Sequence, residues 1–130
     1  DQHCPEDIPA VLSPIQSDEA AVVIGKRPNP ARITEALFAV YTRARFGVTD
    51  PLSGFKSYRT DVYRDVGHFS PYTSVGTHLM LEAHKRGYKI AEVDIQFEAR
   101  HDDSRFGQSL EANWKILCAM VRSIYRVGTD

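Results

Sequence analysis

Six consecutive apolar residues, Ala20-Ala21-Val22-Val23-Ile24-Gly25, stand between Asp18-Glu19 on one side and Lys26-Arg27 on the other. A run this short and continuous, bounded by charge, fits a strand buried on both faces. Such strands occur in sheets covered by helices on either side, so the run argues for an α/β arrangement.

The rest of the chain supplies helices and further strands at the right intervals. Pro5-Glu6-Asp7 followed by Ile8, Val11, Leu12 and Ile15 predicts a short helix with proline and acids in its first turn, where the dipole favours them. Ala31–Phe46 carries Ile33, Leu37, Val40, Tyr41 and Ala44 at helical spacing. Gly54–Arg59 alternates as a strand, with Thr60-Asp61 placed to cap a short helix behind it. Ser74–Arg86 predicts a helix stopped by Gly87. Lys89–Phe97 alternates Ile90, Val93, Ile95 and Phe97 with polar residues, the pattern of a strand exposed on one side. Ser109–Val127 predicts a longer helix with Leu110, Trp114, Leu117, Val121, Ile124 and Tyr125 near one face. A chain of 130 residues makes one compact domain over 1–130 with a real core. Three strands make a small sheet with open edges, so the expectation is that they pair with others upstream of Asp1.

Charge narrows the function. Sixteen basic side chains against seventeen acidic ones leave a net charge of −1, which gives no electrostatic case for nucleic acid. The longest apolar stretch is far short of the ~20 residues of a membrane span. Cys4 and Cys118 lack metal-ligand spacing and read as reduced thiols.

Four stretches hold residues able to do chemistry. Asp1, Gln2 and His3 offer oxygen and nitrogen donors just before a helix, although a polar terminus is commonly only solvated. Lys26 and Arg27 follow the apolar strand, at the strand end where open α/β sheets bind ligands. In Thr49-Asp50-Pro51-Leu52-Ser53-Gly54-Phe55 an acid sits on a turn feeding an aromatic strand. It can serve as a general base or hold a ligand, or be an ordinary turn aspartate. In Glu98–Gly107, Arg100 and Arg105 flank Asp102, Asp103 and Ser104. The two arginines could clamp a diphosphate, or pair with the neighbouring acids.

Taken in order, these stretches resemble the C-terminal half of a family 2 glycosyltransferase, of the branch acting on dolichyl and bacterial polyprenyl phosphates. That branch has Asp-x-Asp-x-Gln-His followed by Pro-Glu and a helix, and Gln2-His3-Cys4-Pro5-Glu6 is similar to its end. Ile24-Gly25-Lys26-Arg27 matches a strand ending Gly-Ser-Arg. Asp50-Pro51-Leu52-Ser53-Gly54-Phe55 matches Asp-Pro-x-Ser-Gly-Phe throughout. Gly87-Tyr88-Lys89-Ile90-Ala91-Glu92-Val93-Asp94-Ile95 follows the family's Gly-Tyr-(Lys/Arg)-Ile-x-Glu-Val-x-Ile strand, and Arg100, Ser104 and Arg105 its Arg-x-x-x-Ser-(Lys/Arg). The departures are Lys26 for a common serine, Asp94 for the usual proline and Asp102 for a frequent glycine.

The resemblance implies the acceptor-side part of a GT-A fold, an α/β arrangement of few strands with flanking helices, whose nucleotide-binding half would lie upstream. It implies an inverting transfer from a nucleotide-diphosphate sugar, with Mg²⁺ or Mn²⁺, to a polyprenyl phosphate or a saccharide at the cytoplasmic face of a membrane. Gln2 would assist the metal. Asp1 falls on the spacer after the metal-binding acids, unless a one-residue deletion makes it the second of them. Arg27 and Arg32 would face the acceptor phosphate or the diphosphate, with Ser53 beside them. Asp50 would orient or deprotonate the acceptor, and Arg100, Ser104 and Arg105 would close over the site. Residues 109–127 would cover the sheet or lie in a membrane interface. A non-catalytic binding or assembly module that kept the fold and lost the donor site is the reading from a different class. The 130-residue chain by itself is expected to show little transferase activity.

Overall fold

The computed structural model describes residues 3–28, 33–68 and 76–96, with the single positions 118, 121 and 125. Among them, a 3-10 turn at Pro5–Asp7 leads into α1 (Ile8–Gln16), then β1 (Val22–Lys26), α2 (Ile33–Phe46), β2 (Lys56–Tyr58), α3 (Thr60–Val66), α4 (Thr77–Lys85) and β3 (Ile90–Asp94). The sheet order is β2-β1-β3, with β1 antiparallel to β2 and parallel to β3. The α/β class expected from the apolar run is present, and the run itself is the central strand.

Val22, Val23 and Ile24 are each 0% exposed. Burying side chains of that size stabilises by about 1.5–3 kcal/mol each. Their alternation sends Val22 and Ile24 into a core with Val48, Val62, Leu79, Met80 and Leu81. Val23 points the other way, to Val11, Ala20, Ile95 and the partly buried Phe55. Helix α1 thus covers one face of the sheet, while α3 and α4 supply the other core. The stop at Gly87 is as expected: its φ is +83°, and Gly87 N–H and Tyr88 N–H donate to the carbonyls of His84 and Ala83.

Several local expectations shift. The acids after Pro5 sit in a 3-10 turn, and α proper begins at Ile8. Thr60 is the first residue of α3 and makes no cap; Arg59 precedes it in extended conformation because its N–H is tied to the Ala21 carbonyl. In α2 the predicted apolar stripe faces outward: Leu37, Val40 and Tyr41 are exposed, whereas Phe38 and Thr42 turn inward. Thr42 can be buried because its hydroxyl donates to the Val48 carbonyl at 2.8 Å and lies near the Phe38 and Ala39 carbonyls. The helix expected over 109–127 lies outside the described residues, apart from Cys118, Val121 and Tyr125, which are helical.

Gly25 shows why β1 ends on its smallest residue. A Cβ there would sit 2.7 Å from Phe55 Cδ1 and 3.0 Å from Ile95 Cγ2, whereas one on Gly54 would meet nothing within 4 Å. Gly25→Ala is therefore expected to destabilise by about 1–3 kcal/mol through overpacking, and Gly54→Ala to be nearly neutral. Paired thermal melts check this: equal melting temperatures for the two variants would contradict the packing described for Phe55.

Candidate functional site

Strand direction explains how distant residues meet. Because β2 is antiparallel and β3 parallel to β1, the start of β2 and the end of β3 both lie at the C-terminal edge of β1. The registers put Lys56 opposite Ile24 and Asp94 opposite Lys26. Arg27, the turn at Asp50–Phe55 and the end of β3 therefore converge.

Their centre is an ion pair. Arg27 Nη2 donates to Asp50 Oδ1 at 2.8 Å, while Arg27 Nε and backbone N–H donate to Oδ2 at 2.9 and 3.0 Å. This is the two-point fork that guanidinium and carboxylate geometry favours. The side chains are 13% and 11% exposed, so the pair is largely out of water. Burial pushes the Asp50 carboxyl upward, but the hydrogen bonds and charge of Arg27, with the charge of Lys56, outweigh it and hold the group below its ordinary value. By contrast, the Lys26–Asp94 pair spans 3.9 Å with exposed partners and contributes little.

The turn is fixed beneath this pair. Ser53 is 0% exposed; its hydroxyl donates to the Gly25 carbonyl at 2.6 Å and accepts from Phe55 N–H at 3.2 Å. Phe55 N–H and Gly25 are thus strapped together, and the Phe55 carbonyl in turn accepts from Gly25 N–H at 2.8 Å. The hydroxyl expected beside a phosphate is spent on holding the turn against β1. Thr77 adds a second tie from α4, donating to the Pro51 carbonyl at 3.0 Å. The Phe55 ring stacks on that of His3, with centroids 4.9 Å apart.

Lys56 reaches back from β2 to the Ser53 carbonyl. Burial, offset by the Asp50 charge and reinforced by Arg27, brings its amine down to about 8. Lys26, Arg27, Ala39, Thr49, Asp50 and Leu52 line a cleft of about 100 Å³. At ~30 Å³ per water, that holds a few waters or one small anion, well under the ~300–1,000 Å³ of a small-molecule pocket. Among the described residues, the cleft has room for a single small charged group.

Of the residues predicted from sequence, Arg27, Asp50 and Ser53 come together here. Asp1, Gln2, Arg32, Arg100, Ser104 and Arg105 lie outside the described residues. Among the described residues, no group of three or more His, Cys, Asp or Glu side chains could hold a metal ion. The described residues do not by themselves fit Mg²⁺ or Mn²⁺, so no step is assigned to one. Sequence reasoning passed over Lys56, Thr49 and the role of Glu92. The signal for Lys56 was its place at the start of an alternating strand directly after the Asp50 turn. No helix among the described residues is long and apolar enough to cross a membrane. No family model matches the chain, and no curated protein or solved structure is significantly similar to it.

Removing one partner of a buried pair strands the other's charge. Arg27→Ala is expected to cost about 3 kcal/mol or more, and adding Asp50→Asn to it should recover part of that loss, measured by urea unfolding. Because the folded Asp50 value lies below the unfolded one, its contribution is present above about pH 3.8 and lost as pH falls through the folded value. Additive losses, or a pair insensitive to acid, would contradict the ion pair.

Proposed function

We propose that this chain is the acceptor-side part of an inverting glycosyltransferase that moves a sugar from a nucleotide-diphosphate donor to a polyprenyl phosphate, at the cytoplasmic face of a membrane. The observation that carries the reading is the two-point Arg27–Asp50 pair, lining a cleft the size of one small anion, on the C-terminal edge of the central strand. The ordered likeness of Gln2–Glu6, Ile24–Arg27, Asp50–Phe55 and Gly87–Ile95 to family 2 glycosyltransferases supplies the reaction class.

The chemistry follows from charge. In the transfer, an acceptor oxygen attacks the anomeric carbon, the bond from that carbon to the diphosphate oxygen breaks, and its electrons leave with the nucleoside diphosphate. Attack from the face opposite the leaving group inverts the centre. Arg27 presents a planar fork that fits a phosphate as well as a carboxylate. The neighbouring Lys56 adds positive charge below about pH 8. When an acceptor phosphate takes the fork, Asp50 is displaced and can orient the phosphate or the sugar hydroxyls beside it.

A phosphate oxygen is already anionic and needs no deprotonation, so with a phosphate acceptor Asp50 orients; a sugar hydroxyl would need it as a base.

The test uses the complete gene product in membranes with Mn²⁺ and a panel of labelled nucleotide sugars. The reading predicts label in the organic-solvent fraction, released by mild acid, and at least a tenfold loss with Arg27→Ala, equivalent to about 1.4 kcal/mol in the barrier. Label solely in water-soluble polymer would replace the lipid acceptor with a saccharide. No transfer and no binding of any nucleotide sugar would support a non-catalytic module instead.

A further inference from the structure

Glu92 stands where a sheet strand would ordinarily carry an apolar residue. In the parallel register it pairs with Ile24, and its neighbour two residues back, Ile90, packs against the core that Ile24 enters. Ala91 and Val93 turn to the opposite face. A carboxylate on the core side of a strand costs free energy unless polar partners meet it. The partners here are all on one short piece of backbone. Glu92 Oε1 accepts from Thr49 N–H at 2.8 Å and from Asp50 N–H at 2.9 Å, and Oε2 accepts from the Thr49 hydroxyl at 2.7 Å. All three donors lie more than 40 residues away in sequence, so the contact serves no local turn.

We infer that Glu92 is a positioning residue: it grips the Thr49–Asp50 backbone so that the Asp50 carboxylate meets the Arg27 guanidinium at two points. The geometry requires some such grip. The Asp50 side chain is short, so a small rotation of its main chain carries its oxygens out of the plane of the fork. Arg27 leaves the end of β1, and Asp50 lies on the turn after α2. Glu92, on the strand paired with β1, ties that turn to the sheet that carries Arg27. Two adjacent N–H groups and a hydroxyl converging on one carboxylate make a charge-assisted clamp, stronger than neutral hydrogen bonds would be. The grip acts on the backbone and leaves both Asp50 oxygens for Arg27 or for a ligand's neighbourhood. This inference deepens the acceptor-site reading and rests on it for its meaning in catalysis, while the positioning itself is independent of any ligand.

Reach and charge can be separated at this position. Glu92→Asp keeps the charge and withdraws the carboxylate by one bond, about 1.5 Å. Glu92→Gln keeps the reach and an oxygen able to accept from both N–H groups, but removes the charge. The readouts are the solvent-exchange rate of the Arg27 Nε proton by NMR, binding of inorganic pyrophosphate by calorimetry, and thermal melting as a control for folding. Positioning predicts Arg27 Nε exchange at least about tenfold faster in Glu92→Asp, and within about threefold of the unsubstituted protein in Glu92→Gln; tenfold corresponds to about 1.4 kcal/mol. A merely structural role would lower the melting temperature of both without separating their exchange rates. Equal exchange in the two folded variants overturns the inference. Should Glu92→Asp fail to fold, Thr49→Val, which removes only the Oε2 contact, is expected to speed exchange by a smaller factor, and no change there overturns it equally. Pyrophosphate binding separates the two claims: no binding to the unsubstituted protein defeats the acceptor-site reading, and the exchange rates still decide Glu92.

Discussion

Asp50 keeps its charge with only 11% of its side chain in water, and the groups around it are arranged to make that tolerable. A carboxylate so placed needs a cation and several donors, or it protonates. Arg27 supplies the cation through a fork and a backbone N–H. Ser53 and Thr77 hold the turn down to β1 and α4, and Glu92 holds its main chain from β3. Each tie reaches a different element, so the position of one carboxylate records the packing of the whole sheet edge.

The central strand sets that edge. Its apolar residues feed both cores, and where the strand ends the first charged side chains appear. Phe55 fills the space left by the missing side chain of Gly25, with Ile95 on the same patch. Asp-Pro-Leu-Ser-Gly-Phe therefore works as one unit: its acid lines the cleft, its serine ties the turn to β1, and its aromatic ring packs against Gly25 and Ile95.

Much of this was legible in the residues. The run from Ala20 to Gly25 specified a buried strand because nothing polar interrupts it, Gly87 specified a stop because glycine adopts at no steric cost the positive φ found there, and Asp50 stood out on its turn. What stayed hidden depended on contacts between distant elements. Periodicity marked Leu37, Val40 and Tyr41 as a helical face, but it cannot say which face turns inward; Phe38 and Thr42 are the buried ones, with the Thr42 hydroxyl donating to the Val48 carbonyl. Ser53 looked like a ligand-binding hydroxyl, and only the approach of Gly25 shows that its hydrogen bonds are spent on the turn. Glu92 read as the polar half of an alternating strand, since its partners lie far back in the chain. The pairing of Arg27 with Asp50 was equally out of reach, because it depends on strand order and direction and on the ties that hold the Asp50 turn to β1, α4 and β3.

An ion pair lining an anion-sized cleft would compete with an anionic ligand. On the proposed reading, the carboxylate occupies the surface that an acceptor phosphate would use, and binding would exchange one anion for another on the same guanidinium. The most direct measurement is therefore an NMR titration of the Arg27 Nε proton and the Asp50 carboxyl carbon with a short-chain isoprenyl monophosphate. The account predicts saturable, simultaneous shifts of both signals, with the Asp50 carboxyl rising toward its ordinary value as Arg27 changes partner. Shifts absent from both at millimolar ligand, or confined to residues away from the Asp50 turn, would contradict it.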